Sequence, residues 1–203
     1  MSFDYQTGGD TSTGGKFLTE PGTYHCLVTA VTENPTNPKG ELIDNAAFRV
    51  DLAILEGTSP NQKDKVKDFV LFNPKPSDKN EGAFAKKRFD FFFLAAGLLT
   101  KQQIENKEKV SIDLQSAVGK QIVCKFQMDD NDKYLELAFA DIFHVDDPAV
   151  KEVPKDKDSL AMLPPSQRWI GDKPADKKPA DKKPAEKKPE LAAAASAANY
   201  SDL

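Results

Sequence analysis

The chain has 203 residues, enough for one sizeable domain with tails or for two small domains. Its formal net charge of −4 argues against a strongly basic nucleic-acid binder, although an acidic protein can still carry a local basic groove. No apolar run approaches the ~20 residues that a membrane helix needs, and the N-terminus lacks a basic, apolar leader, so we expect a cytoplasmic protein.

The first half of the chain reads as a polar arm followed by three strands. Residues 1–20 are polar and glycine-rich, which predicts a flexible N-terminal arm. β-Branched and aromatic residues then predict strands over 23–32, 47–55 and 65–72. Strict alternation in the second strand indicates that one of its faces lies against a core.

One long helical pattern follows, at residues 82–99. Phe89, Phe92 and Ala96 fall on one stripe, and further apolar residues widen it to more than half of the circumference. A helix this apolar needs surfaces on several sides, so we expect even Phe84 to pack against neighbouring segments. The run 86–88 (Lys-Lys-Arg) forms a cationic edge, which is usually just solvent-facing.

Short helical elements and two more strands complete the domain. Capping-box spacing predicts a helix over 101–107, and a helical turn is expected at 114–118. Strands are predicted over 121–128 and 134–145, joined by an Asp/Asn hairpin loop.

The resulting order, β-β-β-α-β-β, predicts an all-β domain with one helix over residues 21–148. This is the order of a five-stranded oligonucleotide-binding (OB) barrel with an apolar helix plugging one end. An α+β sheet with one covering helix fits the same order less specifically.

Beyond residue 148 the composition changes. Residues 173–189 repeat Lys-Pro-Ala-Asp/Glu-Lys, which cannot form a regular helix or a core. We therefore predict a disordered Lys/Pro/Ala-rich tail over 149–203, with two less polar islands at 160–170 and 191–203. These islands are candidate contact points for partner proteins, and the alternative is a solubilising tail.

Catalytic and metal-binding patterns are weak. His25 and Cys26 are neighbours on a strand and point to opposite faces, so they cannot share one ion. No cysteine or histidine spacing typical of zinc occurs, and no nucleophile or acid/base pair is evident. We predict a non-enzyme without cofactors.

One surface carries a possible binding function. Proteins that bind single strands combine a cationic groove with aromatic platforms on which bases stack. The candidate nucleic-acid-binding residues lie on strands two to five, and the competing interpretation is an ordinary solvated sheet face with Phe69 in the core. They are Arg49, Lys65, Lys67, Phe69, Lys125 and Tyr134.

Residues 17–147 resemble a phage-encoded family of small domains of unknown function from replication and recombination gene modules, similar to OB-fold single-stranded DNA-binding proteins. The matching segments are 20–24 (Glu-Pro-Gly-Thr-Tyr), 48–52 (Phe-Arg-Val-Asp-Leu), 69–72 (Phe-Val-Leu-Phe), the helix with Phe89, Phe92, Leu94 and 95–97 (Ala-Ala-Gly), and 118–120 (Val-Gly-Lys). The resemblance implies a DNA-binding accessory protein of phage or prophage origin.

These observations predict sequence-independent binding of single-stranded DNA in a bacterial host or phage-infected cell, without membrane association. The tail is a possible recruiting segment for replication or recombination proteins. The alternatives are a protein–protein adaptor and a virion or assembly component, neither of which binds DNA. The sequence does not determine the oligomeric state.

Overall fold

Five antiparallel strands form one sheet in the computed structural model, which describes residues 16–75, 82–164 and 167–168. All five predicted strands are confirmed, with ends that differ by at most two residues. They are β1 (Gly22–Glu33), β2 (Ala46–Gly57), β3 (Val66–Phe72), β4 (Gln121–Met128) and β5 (Leu135–His144), in the spatial order β3-β2-β1-β4-β5.

The sheet curls into a half-barrel with one long helix against it. Register shifts in the β1–β2 and β4–β5 pairings mark irregularities of the kind that bend and twist strands. Helix α1 (Ala83–Ala95) follows β3 and packs against both β3 and β5, the two edge strands of the sheet. The predicted combination of a β domain and one covering helix is therefore confirmed.

Phenylalanines from the helix and the sheet build the core. Phe92 is fully buried, and its ring centroid lies 5.7 Å from that of Phe48 and 6.0 Å from that of Phe69. Phe89 stacks on Phe48 with centroids 5.5 Å apart. The prediction that Phe92 faces the core is confirmed. Phe84 does pack against a neighbouring segment, with its ring edge-on to Phe139 of β5, although 57% of its surface stays exposed.

Two short elements lie between α1 and β4. Helix α2 (Lys101–Glu105) begins at the predicted capping box, in which Thr100 and Gln103 each accept a hydrogen bond from the other's backbone amide. A 3₁₀ turn, Leu114–Ala117, occupies the position of the predicted helical turn. Both elements lead the chain back to β4.

The end of the predicted arm belongs to the folded domain. The amide of Leu18 donates to the carbonyl of Val66 at 2.9 Å, and the amide of Val66 donates to the carbonyl of Lys16 at 2.7 Å. Leu18 is buried in the core. The arm prediction is thus wrong for residues 16–20, and its first 15 residues lie outside the described part of the chain.

The start of the predicted tail is also folded. Residues 148–164, which we call the C-terminal strap, contain a 3₁₀ turn (Pro148–Val150) and helix α3 (Lys157–Ala161). Val150 and Leu163 form a second apolar cluster with Val123 of β4. The predicted boundary at residue 148 is therefore too early. Trp169, the repeats at 173–189 and the island at 191–203 lie outside the described residues.

None of the helices in the described ranges is long and apolar enough to cross a bilayer.

Candidate nucleic-acid interface

Phe69, the only strand-three aromatic among the predicted site residues, lies in the core. Its exposed fraction is 6%, and its ring packs edge-on against Phe92. The face of β3 that carries Phe69 also carries the buried Leu71. The interpretation of this face as an exposed stacking surface is wrong, because the helix needs an apolar partner there.

The predicted cations on β2 and β3 lie on opposite faces of the sheet. Residues paired across antiparallel strands share a face. Lys67 is opposite the buried Leu52, whereas Arg49 is opposite Val70 and points to the other side. Arg49 also forms an ion pair with Asp51 at 3.1 Å.

The remaining predicted residues are spread over the domain. Lys125 lies on β4, two strands away from β2, and pairs with Asp141 at 3.5 Å. Lys65 precedes β3 at the end opposite to Phe72. Tyr134 is 72% exposed at the β4–β5 hairpin. The six predicted residues are not brought together, and only Tyr134 presents an exposed aromatic ring.

A different surface combines exposed rings with cations. An open pocket of about 350 Å³ lies where the end of β3, the start of α1 and the middle of β5 meet. Phe84 and Phe139 pack edge-on across it, with ring centroids 5.2 Å apart, although 57% and 44% of their surfaces are exposed. We call this the seam pocket. Its lining residues are Asp44, Asn45, Phe72, Asn73, Lys75, Phe84, Ala85, Arg88 and Phe139.

Close backbone contacts hold the two sides of the seam pocket together. Gly82, which precedes α1, has φ 72°, and a Cβ there would lie 2.4 Å from the Cβ of Pro74. Only glycine allows this approach without strain. On the other side, the amide of Asn73 donates to the carbonyl of Asn45 at 2.9 Å. The β1–β2 loop, the end of β3 and the start of α1 therefore meet at fixed positions.

Arg88 provides the principal positive charge of the pocket. Its Nε atom is buried and has no hydrogen-bond partner among the described residues. Burial lowers the pKa of the guanidinium, and the nearby carboxylate of Glu136 opposes this effect. Because arginine stays protonated in proteins, the result is an incompletely solvated cation. The second cation, Lys75, lies 3.8 Å from the almost fully exposed Asp44.

Comparisons with known proteins add no assignment. No protein-family model matches the chain, and no curated protein matches its sequence. The resemblance to a phage-encoded domain family therefore remains a prediction from the residues.

The side chains of the seam pocket are suited to binding an anion beside aromatic rings. Within the ranges that the structure describes, no group of three or more His, Cys, Asp or Glu side chains is placed to hold a metal ion. The rings offer apolar faces, and Arg88 and Lys75 offer charge for an anion. Such a pocket suits a ligand that is both aromatic and negatively charged.

Sequence reasoning missed this pocket because its residues come from elements that are far apart in the chain: the β1–β2 loop, the end of β3, the first half of α1 and the middle of β5. Phe84 and Arg88 are one helical turn apart, so the spacing alone places them on the same side of α1. Phe72 is the last residue of β3, and Phe139 lies in the fifth strand. The available signal was this aromatic–cation pair at the start of an apolar helix. The prediction from the sequence separated the two residues, since it placed Phe84 against neighbouring segments and Arg88 on a solvent-facing edge.

Proposed function

We propose that this protein binds single-stranded DNA without strong sequence preference and that the seam pocket is its principal contact. The observation that carries the proposal is the exposed Phe84–Phe139 pair beside the incompletely solvated Arg88. A DNA strand supplies what these groups lack, since bases stack on aromatic rings and phosphates neutralise guanidinium groups.

The location of the pocket supports this function. We propose that the half-barrel is an OB-type fold, whose binding surface involves strands two and three together with the loops between strands one and two and between strands four and five. The seam pocket contains the end of the β1–β2 loop at Asn45 and the end of β3 at Phe72. The exposed ring of Tyr134 stands at the β4–β5 hairpin. Tyr134 is therefore a candidate for a second aromatic ring on which a base can stack. Of the six site residues predicted from the sequence, it is the one that we retain as a DNA contact.

An acidic protein can bind DNA in this way because the affinity depends more on the charge at the contact surface than on the net charge of the protein. A net charge of −4 does not help long-range attraction to DNA, so we expect moderate affinity and a small number of phosphate contacts. Stacking, which depends little on salt, then carries a larger share of the binding energy than in a basic protein.

Fluorescence anisotropy with a labelled oligo-dT of about 16 nucleotides, the upper end of the site size of one OB fold, tests the proposal. We expect saturable binding that weakens between about 50 mM and 200 mM salt. The absence of binding at the lower salt concentration would contradict the proposal and favour a protein–protein adaptor or a self-assembling component. Light scattering detects self-assembly directly.

The recruitment of replication or recombination proteins by the end of the chain is a separate part of the proposal. Its test requires a truncation that keeps the C-terminal strap. A chain that ends at Gly171 retains Val150 and Leu163, which pack against β4, whereas removal of residues 149–203 also removes this folded segment. We expect a partner captured by the full-length protein to be lost from the chain ending at Gly171, while oligo-dT binding is retained.

A further inference from the structure

Two asparagine side chains in the seam pocket have orientations fixed by backbone carbonyls. The Nδ2 atom of Asn45 donates to the carbonyl of Asn73 at 2.8 Å. The Nδ2 atom of Asn73 donates to the carbonyls of Asn45 and Ala46, at 3.4 Å each. A carbonyl oxygen only accepts hydrogen bonds, so the nitrogen of each amide must face the backbone.

The amide oxygens are therefore the groups left for a ligand. Neither Oδ1 atom accepts a hydrogen bond from a described residue, and both asparagines line the pocket. The carboxylate of Asp44, which is 98% exposed, adds a third acceptor to the same lining. Donors are present too, on Lys75, Arg88 and the second Nδ2 hydrogen of Asn45, but the three oxygens are acceptors that a donor group of a base can meet.

Bases differ in how well they meet such acceptors. Cytosine, adenine and guanine carry an exocyclic amino group with two donor hydrogens, whereas thymine has none and carries a carbonyl oxygen on either side of its N3–H. A base with an amino group can donate to an amide oxygen of the pocket. Thymine in the same position has its O4 where cytosine has the amino group, so an acceptor meets an acceptor there and the loss of water is not compensated, and N3–H is the one donor that thymine can offer instead.

We propose that the seam pocket prefers a base that carries an exocyclic amino group, cytosine, adenine or guanine, over thymine. This inference rests on the proposed function, because it assigns the base accepted by the same site. This base preference is compatible with binding to single-stranded DNA of any sequence, since one selective position changes the affinity only modestly.

Cytosine and thymine homo-oligomers provide the test, because both are pyrimidines of similar size. We expect oligo-dC to bind about 2- to 10-fold more tightly than oligo-dT in anisotropy titrations, the range of one or two hydrogen bonds. The titrations are made above neutral pH, where cytosine is unprotonated. Replacing cytosine by 2-pyrimidinone, which lacks the amino group, is expected to abolish this advantage.

The outcomes separate the two proposals. Equal affinity for oligo-dC and oligo-dT overturns the base preference and leaves single-strand binding intact. Retention of the advantage by the 2-pyrimidinone oligomer also overturns it, because stacking would then be the cause. A lack of binding to every oligomer overturns both proposals.

The variant Asn73→Ala tests the amide itself. Its two hydrogen bonds to backbone carbonyls are long, so we expect the fold to be retained. The ratio of oligo-dC to oligo-dT affinity is expected to fall towards one. The matched control is Asn106→Ala, at the end of α2, which should keep the wild-type ratio. An unchanged ratio in folded Asn73→Ala contradicts the proposal.

Discussion

The backbone amide of Asp156 donates a hydrogen bond to Nδ1 of His25 at 3.2 Å, across 131 residues of sequence. Because Nδ1 accepts, the proton of the neutral ring lies on Nε2, which faces Oε1 of Gln121 at 2.9 Å. Gln121 in turn donates to the carbonyl of Ser159 at 2.8 Å. A buried histidine of β1 therefore holds the C-terminal strap in place, and it can do so only in its neutral form.

His144 repeats this arrangement. Its Nδ1 accepts from the amide of Asp146 at 3.1 Å, and its Nε2 faces the carbonyl of Gln167 at 2.6 Å. Burial lowers the pKa of both His25 and His144, although their hydrogen bonds and nearby carboxylates act in the opposite direction. Both rings thus favour the neutral form in the folded protein.

We expect the free energy of unfolding to decrease as the pH falls below about 6.5, the ordinary histidine value. The unfolded chain binds more protons than the folded protein in that range, so acid favours unfolding. Urea titrations from neutral pH to about one unit below the ordinary value measure the effect. The double variant His25→Gln/His144→Gln should show a flatter pH dependence, even if it is less stable at neutral pH. An equally steep dependence in the variant would contradict this assignment.

The C-terminal strap is expected to be required for full stability. A chain ending at Asp147 loses Val150 and Leu163 and exposes Val123, which is fully buried. Loss of one large buried aliphatic side chain alone typically costs about 2–5 kcal/mol. We expect at least about 2 kcal/mol lower stability in urea unfolding for this chain, and wild-type stability of the domain for the chain ending at Gly171. Equal stability of the two truncations would show that the strap is not part of the fold.

The sequence predicted the elements well because their signals are local. Alternation predicted that one face of β2 lies against a core, and capping spacing predicted that α2 begins after Thr100. The fold of the strap depends instead on contacts over long sequence distances, such as that of His25 with Asp156. Its residues are too polar to be predicted as core from their own pattern, so the domain boundary was placed too early.

The candidate site could not be predicted because tertiary packing determines which face of β3 lies against the core. Residues 66–72 have apolar side chains on both faces of the strand, so alternation did not show which face lies against α1. Packing of Phe69 against Phe92 decides this, and it leaves Phe72 at the rim of the seam pocket. Likewise, the helical pattern placed Phe84 near the apolar stripe, but at the start of α1 its ring packs on the half-exposed Phe139 of β5 and stays 57% exposed.

Removal of the exposed ring pair is expected to weaken DNA binding. A stacked base contributes about 1–3 kcal/mol, so Phe84→Ala and Phe139→Ala should each reduce oligo-dT affinity by about 5-fold or more. Because the two rings touch, the double variant should lose less than the sum of the single effects. The matched control is Met162→Ala, an exposed apolar residue of the C-terminal strap. Wild-type affinity of the folded double variant in anisotropy would refute a role for the seam pocket.

A pair of arginine variants distinguishes the seam pocket from the sheet face that the sequence analysis favoured. The Nε atoms of both arginines are buried without a hydrogen-bond partner among the described residues, but Arg49 forms an ion pair with Asp51 at 3.1 Å, whereas Arg88 forms none with a described residue. If Arg88 contacts a phosphate, the slope of log affinity against log salt should decrease in magnitude by about one in Arg88→Gln, and affinity should fall at low salt. Arg49→Gln should leave the slope unchanged, because Arg49 does not line the seam pocket. Anisotropy titrations at several salt concentrations measure both slopes. The reverse result, with Arg49→Gln reducing the slope and Arg88→Gln leaving it unchanged, would move the DNA contact to the outer face of β2 and β3.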